Sequence, residues 1–158
     1  MIYAALKSIH LLSIIVWLGG MVFAHFFLRP AVASLAPPQR LRLMHEVLRR
    51  FFQAVLLSSG LAVLSGAWML GRSERQSMLW GAHLNLPLEW LVMAVLGALM
   101  LVIFLFIRFA LFTRLTRAVA GADWPAGADL LARIRRWVAV NLCLGTVIVI
   151  VTLAGVSS

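Results

Sequence analysis

The chain has 158 residues, of which 63% are hydrophobic and 12% charged, with a net charge of +9. A soluble domain is about 45–50% apolar and about 25% charged, so an ordinary soluble fold is excluded and a polytopic membrane protein is predicted, one domain over 1–158. The arginines cluster between apolar runs, which points to topology and lipid headgroups and away from nucleic acid.

The first run, Ser8–Leu28, holds no Asp, Glu, Lys or Arg. Crossing a bilayer takes about 20 apolar residues, so this run spans. Ala31-Val32-Ala33 resembles a cleavage site, but the run exceeds the ~7–15 residues of a signal-peptide core and Arg29-Pro30 intervene. It is predicted to be a retained helix. Two histidines, His10 and His25, lie within it. An ionisable group inside lipid marks a site by default. Trp17 is mid-helix, too deep for an interfacial belt, and is expected to pack on a neighbouring helix or a flat ligand.

Pro37-Pro38 then breaks the chain, and a short amphipathic helix is expected over Gln39–Arg50, with His45 on it. Arg49-Arg50-Phe51 opens the second span, Phe51–Leu70. These two arginines suit a lipid anchor or an acidic group such as a haem propionate or phosphate. The next connection contains Trp80 and His83. The third span is Leu88–Phe112, with Arg108 able to snorkel toward an interface. Gly121-Ala122-Asp123-Trp124-Pro125 reads as a turn, Ala126–Arg136 as a helix, and Trp137–Val156 as the fourth span. Cys143, the lone cysteine, is expected to be a buried small hydrophobe.

The fold class predicted is all-α, a four-transmembrane-helix bundle. The first and third connections carry Arg29, Arg40, Arg42, Arg49 and Arg50, and Arg108, Arg114, Arg117, Arg133, Arg135 and Arg136; the second carries only Arg72 and Arg75. Positive-inside bias then puts both termini on the outer, periplasmic side of a bacterial inner membrane.

On that topology His10 and His83 share the outer side, and His25 and His45 the inner side. His10 and His25 are about 22 Å apart along a helix and about 60° apart in azimuth. Imidazoles on facing helices hold haem b in bundles. One haem between His10 and His83 fits that scheme, with a second centre conceivable between His25 and His45. Cu(I) is the alternative, since soft ligands suit it and the chain has seven methionines. Met in apolar helices is more often filler. No P-loop, His-Glu-x-x-His or Ser/His/Asp set is present.

The run of features resembles the small CopD-type family of four-helix membrane proteins. The residues that carry it are Leu6-Lys7-Ser8-Ile9-His10-Leu11-Leu12, Val16-Trp17-Leu18-Gly19-Gly20-Met21, Leu28-Arg29-Pro30, Arg49-Arg50-Phe51-Phe52, Ala82-His83-Leu84, Ala132-Arg133-Ile134-Arg135-Arg136-Trp137 and Asn141-Leu142. The first helix also looks like that of HemJ-type haem b proteins, with His10 matching their helix 1 histidine. Those proteins use a lysine in helix 3, where this chain reads Asn85-Leu86-Pro87-Leu88-Glu89, which argues against protoporphyrinogen oxidase activity. The CopD resemblance implies copper handling and the HemJ resemblance a haem b redox protein. The leading expectation is haem b, with a quinone or porphyrin-like partner. Copper uptake or resistance is the second reading. A non-catalytic accessory subunit, in a homodimer or beside a membrane partner protein, is the third.

Overall fold

The computed structural model describes residues 2–79 and 88–156. Helix α1 (Ile2–Val22) passes through a π-helical segment, Phe23–Leu28, into the short α2 (Arg29–Ala31). Helix α3 covers Pro37–Leu79. Helix α4 (Leu88–Phe106) passes through a second π-helical segment, Ile107–Leu111, into α5 (Phe112–Ala120), and α6 covers Trp124–Val156. Four continuous helices, Ile2–Ala31, Pro37–Met69, Trp90–Ala120 and Trp124–Ala154, are long and apolar enough to cross a membrane. The described residues contain no strand. The chain is therefore an all-helical, multi-pass membrane protein, as its composition requires.

The amphipathic helix expected over Gln39–Arg50 leads into the second span without interruption. Residues 37–79 form one helix of 43 residues, about 64 Å long, twice the ~30 Å hydrocarbon thickness. The reason lies in its buried stripe. Leu41, Met44, Leu48, Phe52, Val55, Ser59, Ala62 and Ser65 are all buried, and their steps of three and four keep one face turned inward from the arginine-rich end through the span. Pro37 and Pro38 sit in the first turn, where a missing N–H costs nothing. The other spans also overrun their expected limits, because polar flanks continue the helices beyond the apolar runs.

Helix α1 packs chiefly on α3, and α4 on α6. Between them lies a core that includes Trp17, Met21, Phe52, Met100, Phe104, Ile107 and Ile134. Trp17 is 7% exposed and meets Phe104 edge-on at 5.8 Å, the helix-packing role of its two expected ones. Small residues set the closest approaches. A methyl at Gly20 would overlap the Phe51 ring, and one at Gly145 would stand 3.0 Å from Leu18. The outer surface is apolar, with Leu57, Leu64, Val102 and Ile150 among its exposed side chains. Cys143 is exposed there too, which corrects the expectation of burial: it lies on the lipid side of α6.

The turn between α5 and α6 ends α5 as the sequence predicts. The Asp123 N–H donates to the Ala118 carbonyl at 2.9 Å and the Ala122 N–H to the Val119 carbonyl at 3.3 Å. This is a Schellman closure, which calls for a left-handed residue. Ala122 fills that place at φ 54°. The Asp123 carboxylate then accepts from the Ala126 N–H at 3.1 Å, capping α6.

Candidate functional site

His10 faces α3 and is half-buried. Its Nδ1 lies 2.9 Å from the Ala62 carbonyl and 3.2 Å from Ser65 Oγ. The Ser65 hydroxyl donates its own proton to the Leu61 carbonyl at 2.6 Å. Nδ1 must therefore carry the hydrogen, which is shared between the Ala62 carbonyl and the Ser65 oxygen. In the neutral ring Nε2 then carries the lone pair, and it is buried with no hydrogen-bond partner among the described residues. A histidine whose Nδ1–H is fixed by a carbonyl while Nε2 stays free is the arrangement of a metal-ligating imidazole. Gly66 lets the ring lie against α3, since a Cβ there would stand 3.3 Å from Cε1.

Two further groups lie toward this end of the bundle. Met69 follows Ala62, Ser65 and Gly66 on the same face of α3, at the i, i+3, i+4, i+7 spacing. Helices α1 and α6 run antiparallel past the Leu18–Gly145 contact. Seven residues farther from the basic end this register reaches Leu11 and Thr152, so Thr152 is level with His10. Its Oγ1 is buried and also without a hydrogen-bond partner among the described residues.

The remaining expected site residues are dispersed. His45 stacks on Phe112 at 5.1 Å and its Nε2 meets Thr116 Oγ1 at 3.0 Å. Because the Thr116 hydroxyl donates to the Phe112 carbonyl at 3.0 Å, His45 Nε2–H is the donor. His25 has different company: it lies edge-on to Phe26 and lines a cleft of about 290 Å³ between the α1–α2 segment, the start of α3 and α6. Arg49 and Arg50 both bind Glu46, Arg49 in bidentate fashion at 2.8 and 3.0 Å, and Arg50 at 3.0 Å. That carboxylate occupies the groups that were candidates for a propionate or phosphate. His83 lies outside the described residues. Among the described residues no group of three or more His, Cys, Asp or Glu gathers into a metal cage.

Residue types alone carry no signal for Ser65 and Gly66 as neighbours of His10 or for Thr152 at its level. Their roles depend on which face of α3 and α6 turns inward. The cleft beside His25 was equally hidden, because its arginines come from three separate segments.

Residues 45–155, helices α3 to α6 apart from their extremities, match the family described as Copper resistance protein D. The chain belongs to the CopD family. This match leaves out α1, so the CopD likeness of residues 6–30 rests on those residues themselves. No curated protein and no solved structure is significantly similar to the chain.

Proposed function

We propose that this CopD-family chain handles copper, taking Cu(I) on His10 Nε2 with the Met69 thioether as a second, soft ligand. The observation that carries the reading is the buried Nε2, without a hydrogen-bond partner among the described residues while Nδ1–H is fixed. Imidazole and thioether both suit Cu(I). Both are neutral, so the site would hold a single positive charge, the least costly metal charge to place within a bilayer. With the arginine-rich connections inside a bacterial inner membrane, His10 stands toward the outer side, where copper would enter.

The family supports copper over haem b. Both axial nitrogens of a haem must meet one iron. His25 is 15 residues from His10 on the same helical run, about 22 Å away, and His45 is engaged by Thr116. Within the described residues His10 has no imidazole partner beside it.

The test is a Cu(I) competition titration of the purified full chain against a chromophoric chelator. One Cu(I) per chain is expected, weakened roughly 100-fold in His10→Ala, as loss of a ligand must exceed the 10–100-fold cost of losing its supporting contact. Met69→Leu should weaken it less. A chain that takes no Cu(I) but shows a Soret band lost in His10→Ala would replace this reading with haem. Binding neither would leave an accessory subunit.

A further inference from the structure

The cleft beside His25 lies at the opposite, basic end of the bundle and plays no part in the copper reading. Three cations line it, Arg29 from α2, Arg40 from α3 and Arg135 from α6, together with His25. None of the three has a carboxylate partner among the described residues; the ion pairs formed there use Arg49, Arg50 and Glu46. Charge is strongly one-sided. The first and third connections together hold eleven arginines and three acids (Glu46, Asp123 and Asp129), a balance of 11 − 3 = +8 out of a total of +9.

On each of three segments the cation lies farther from the membrane centre than an apolar residue of the same cleft. Ala24 precedes Arg29, Leu48 follows Arg40, and Val138 follows Arg135. At 1.5 Å per residue these separations are about 7, 12 and 4 Å. Val32, Ala33 and Ala128 line the cleft on the other side of the cations. The cleft thus sets three cations within an apolar lining that reaches toward the bilayer. Among anions, one with an attached apolar chain matches both the cations and that lining.

We propose that this cleft is a binding site for one anionic phospholipid, its phosphate held by Arg29, Arg40 and Arg135 and the start of an acyl chain lying against Leu48 and Val138. Guanidinium groups bind phosphate oxygens through paired N–H donors. His25, beside Ala24, stands between the phosphate level and the apolar wall. A basic pocket between membrane helices is a recognised form of headgroup site.

The test uses the full chain in neutral detergent, titrated with phosphatidylglycerol, phosphatidylcholine or inorganic phosphate, and read by native mass spectrometry and by thermal unfolding followed by tryptophan fluorescence. One phosphatidylglycerol per chain should be retained and should raise Tm. The triple variant Arg29→Gln/Arg40→Gln/Arg135→Gln should weaken it by roughly 100-fold, about fivefold per arginine. Arg114→Gln/Arg117→Gln/Arg133→Gln removes the same charge outside the cleft lining and should weaken it less than fivefold. Ala132→Trp, which fills the cleft without changing charge, should also abolish retention. Equal losses in the two triples would overturn the site in favour of diffuse surface charge. Retention by Ala132→Trp would overturn it as well. Equal binding of phosphatidylcholine would refute the role of the arginines, and equal binding of inorganic phosphate would refute the apolar wall.

Discussion

Replacing Gly66 by alanine separates the metal reading from general stability. A methyl there would stand 3.3 Å from His10 Cε1 and 3.6 Å from Nδ1. Carbon atoms prefer about 3.5–4.0 Å, so the ring must move by about 0.3 Å. It cannot move freely, because Nδ1 is held to Ala62 and Ser65 at 2.9 and 3.2 Å. Sites need their groups placed within about 0.5 Å, and disturbing the contacts behind a metal-bound histidine costs 10–100-fold in affinity. Gly66→Ala should therefore weaken Cu(I) roughly tenfold, and the bulkier Gly66→Val more. Stability should move the other way, since alanine exceeds glycine in helix preference by about 1 kcal/mol. Gly60→Ala is the control: nothing lies within 4 Å of its added methyl, so Tm should rise with affinity unchanged. The assay pairs chelator competition with thermal unfolding. If Gly66→Ala keeps Tm and binds Cu(I) within twofold of wild type, His10 is not the ligand.

Other expectations concern packing and turns. Ala122→Gly should stabilise the chain by about 1 kcal/mol, because a left-handed conformation costs an L-residue that much and glycine almost nothing; a lower Tm would refute the strained-turn assignment at φ 54°. Gly20→Leu should lower stability by about 1–3 kcal/mol by forcing the Phe51 ring aside, and an unchanged Tm would show that α1 and α3 separate readily there. Asn141 is 1% exposed and its Oδ1 has no hydrogen-bond partner among the described residues. Asn141→Leu should be neutral or gain about 1 kcal/mol; a loss exceeding 2 kcal/mol would reveal a partner for that oxygen.

Much of the bundle was legible from residue types. Runs without charge located the four spans, and Gly121 to Pro125 marked the turn before α6. Other features were hidden for physical reasons. The π-helical segments around His25 and Arg108 leave no composition signature, since they arise from a shift in backbone bonding. At His10 the sequence flagged an ionisable residue inside a span. It was silent on Nδ1 being fixed to Ala62, because a backbone carbonyl has no letter of its own. Arg49 and Arg50 drew attention as anion binders; both pair with Glu46, while Arg29, Arg40 and Arg135 line one cleft.

Helix α3 carries the carbonyl and hydroxyl that orient His10 at one end and Arg40 at the other. Arg40 and Ser65 are about 37 Å apart along it, with no proline and no π-helical turn between them. Ser58-Ser59-Gly60 between them is of the type at which helices can kink, and α3 runs through it without a break. The helix transmits displacement as a stiff rod, so a tilt at its basic foot becomes a sideways movement beside His10. The two ends of the bundle are in that sense levers on one shaft, and the geometry around the imidazole depends on what holds the foot still.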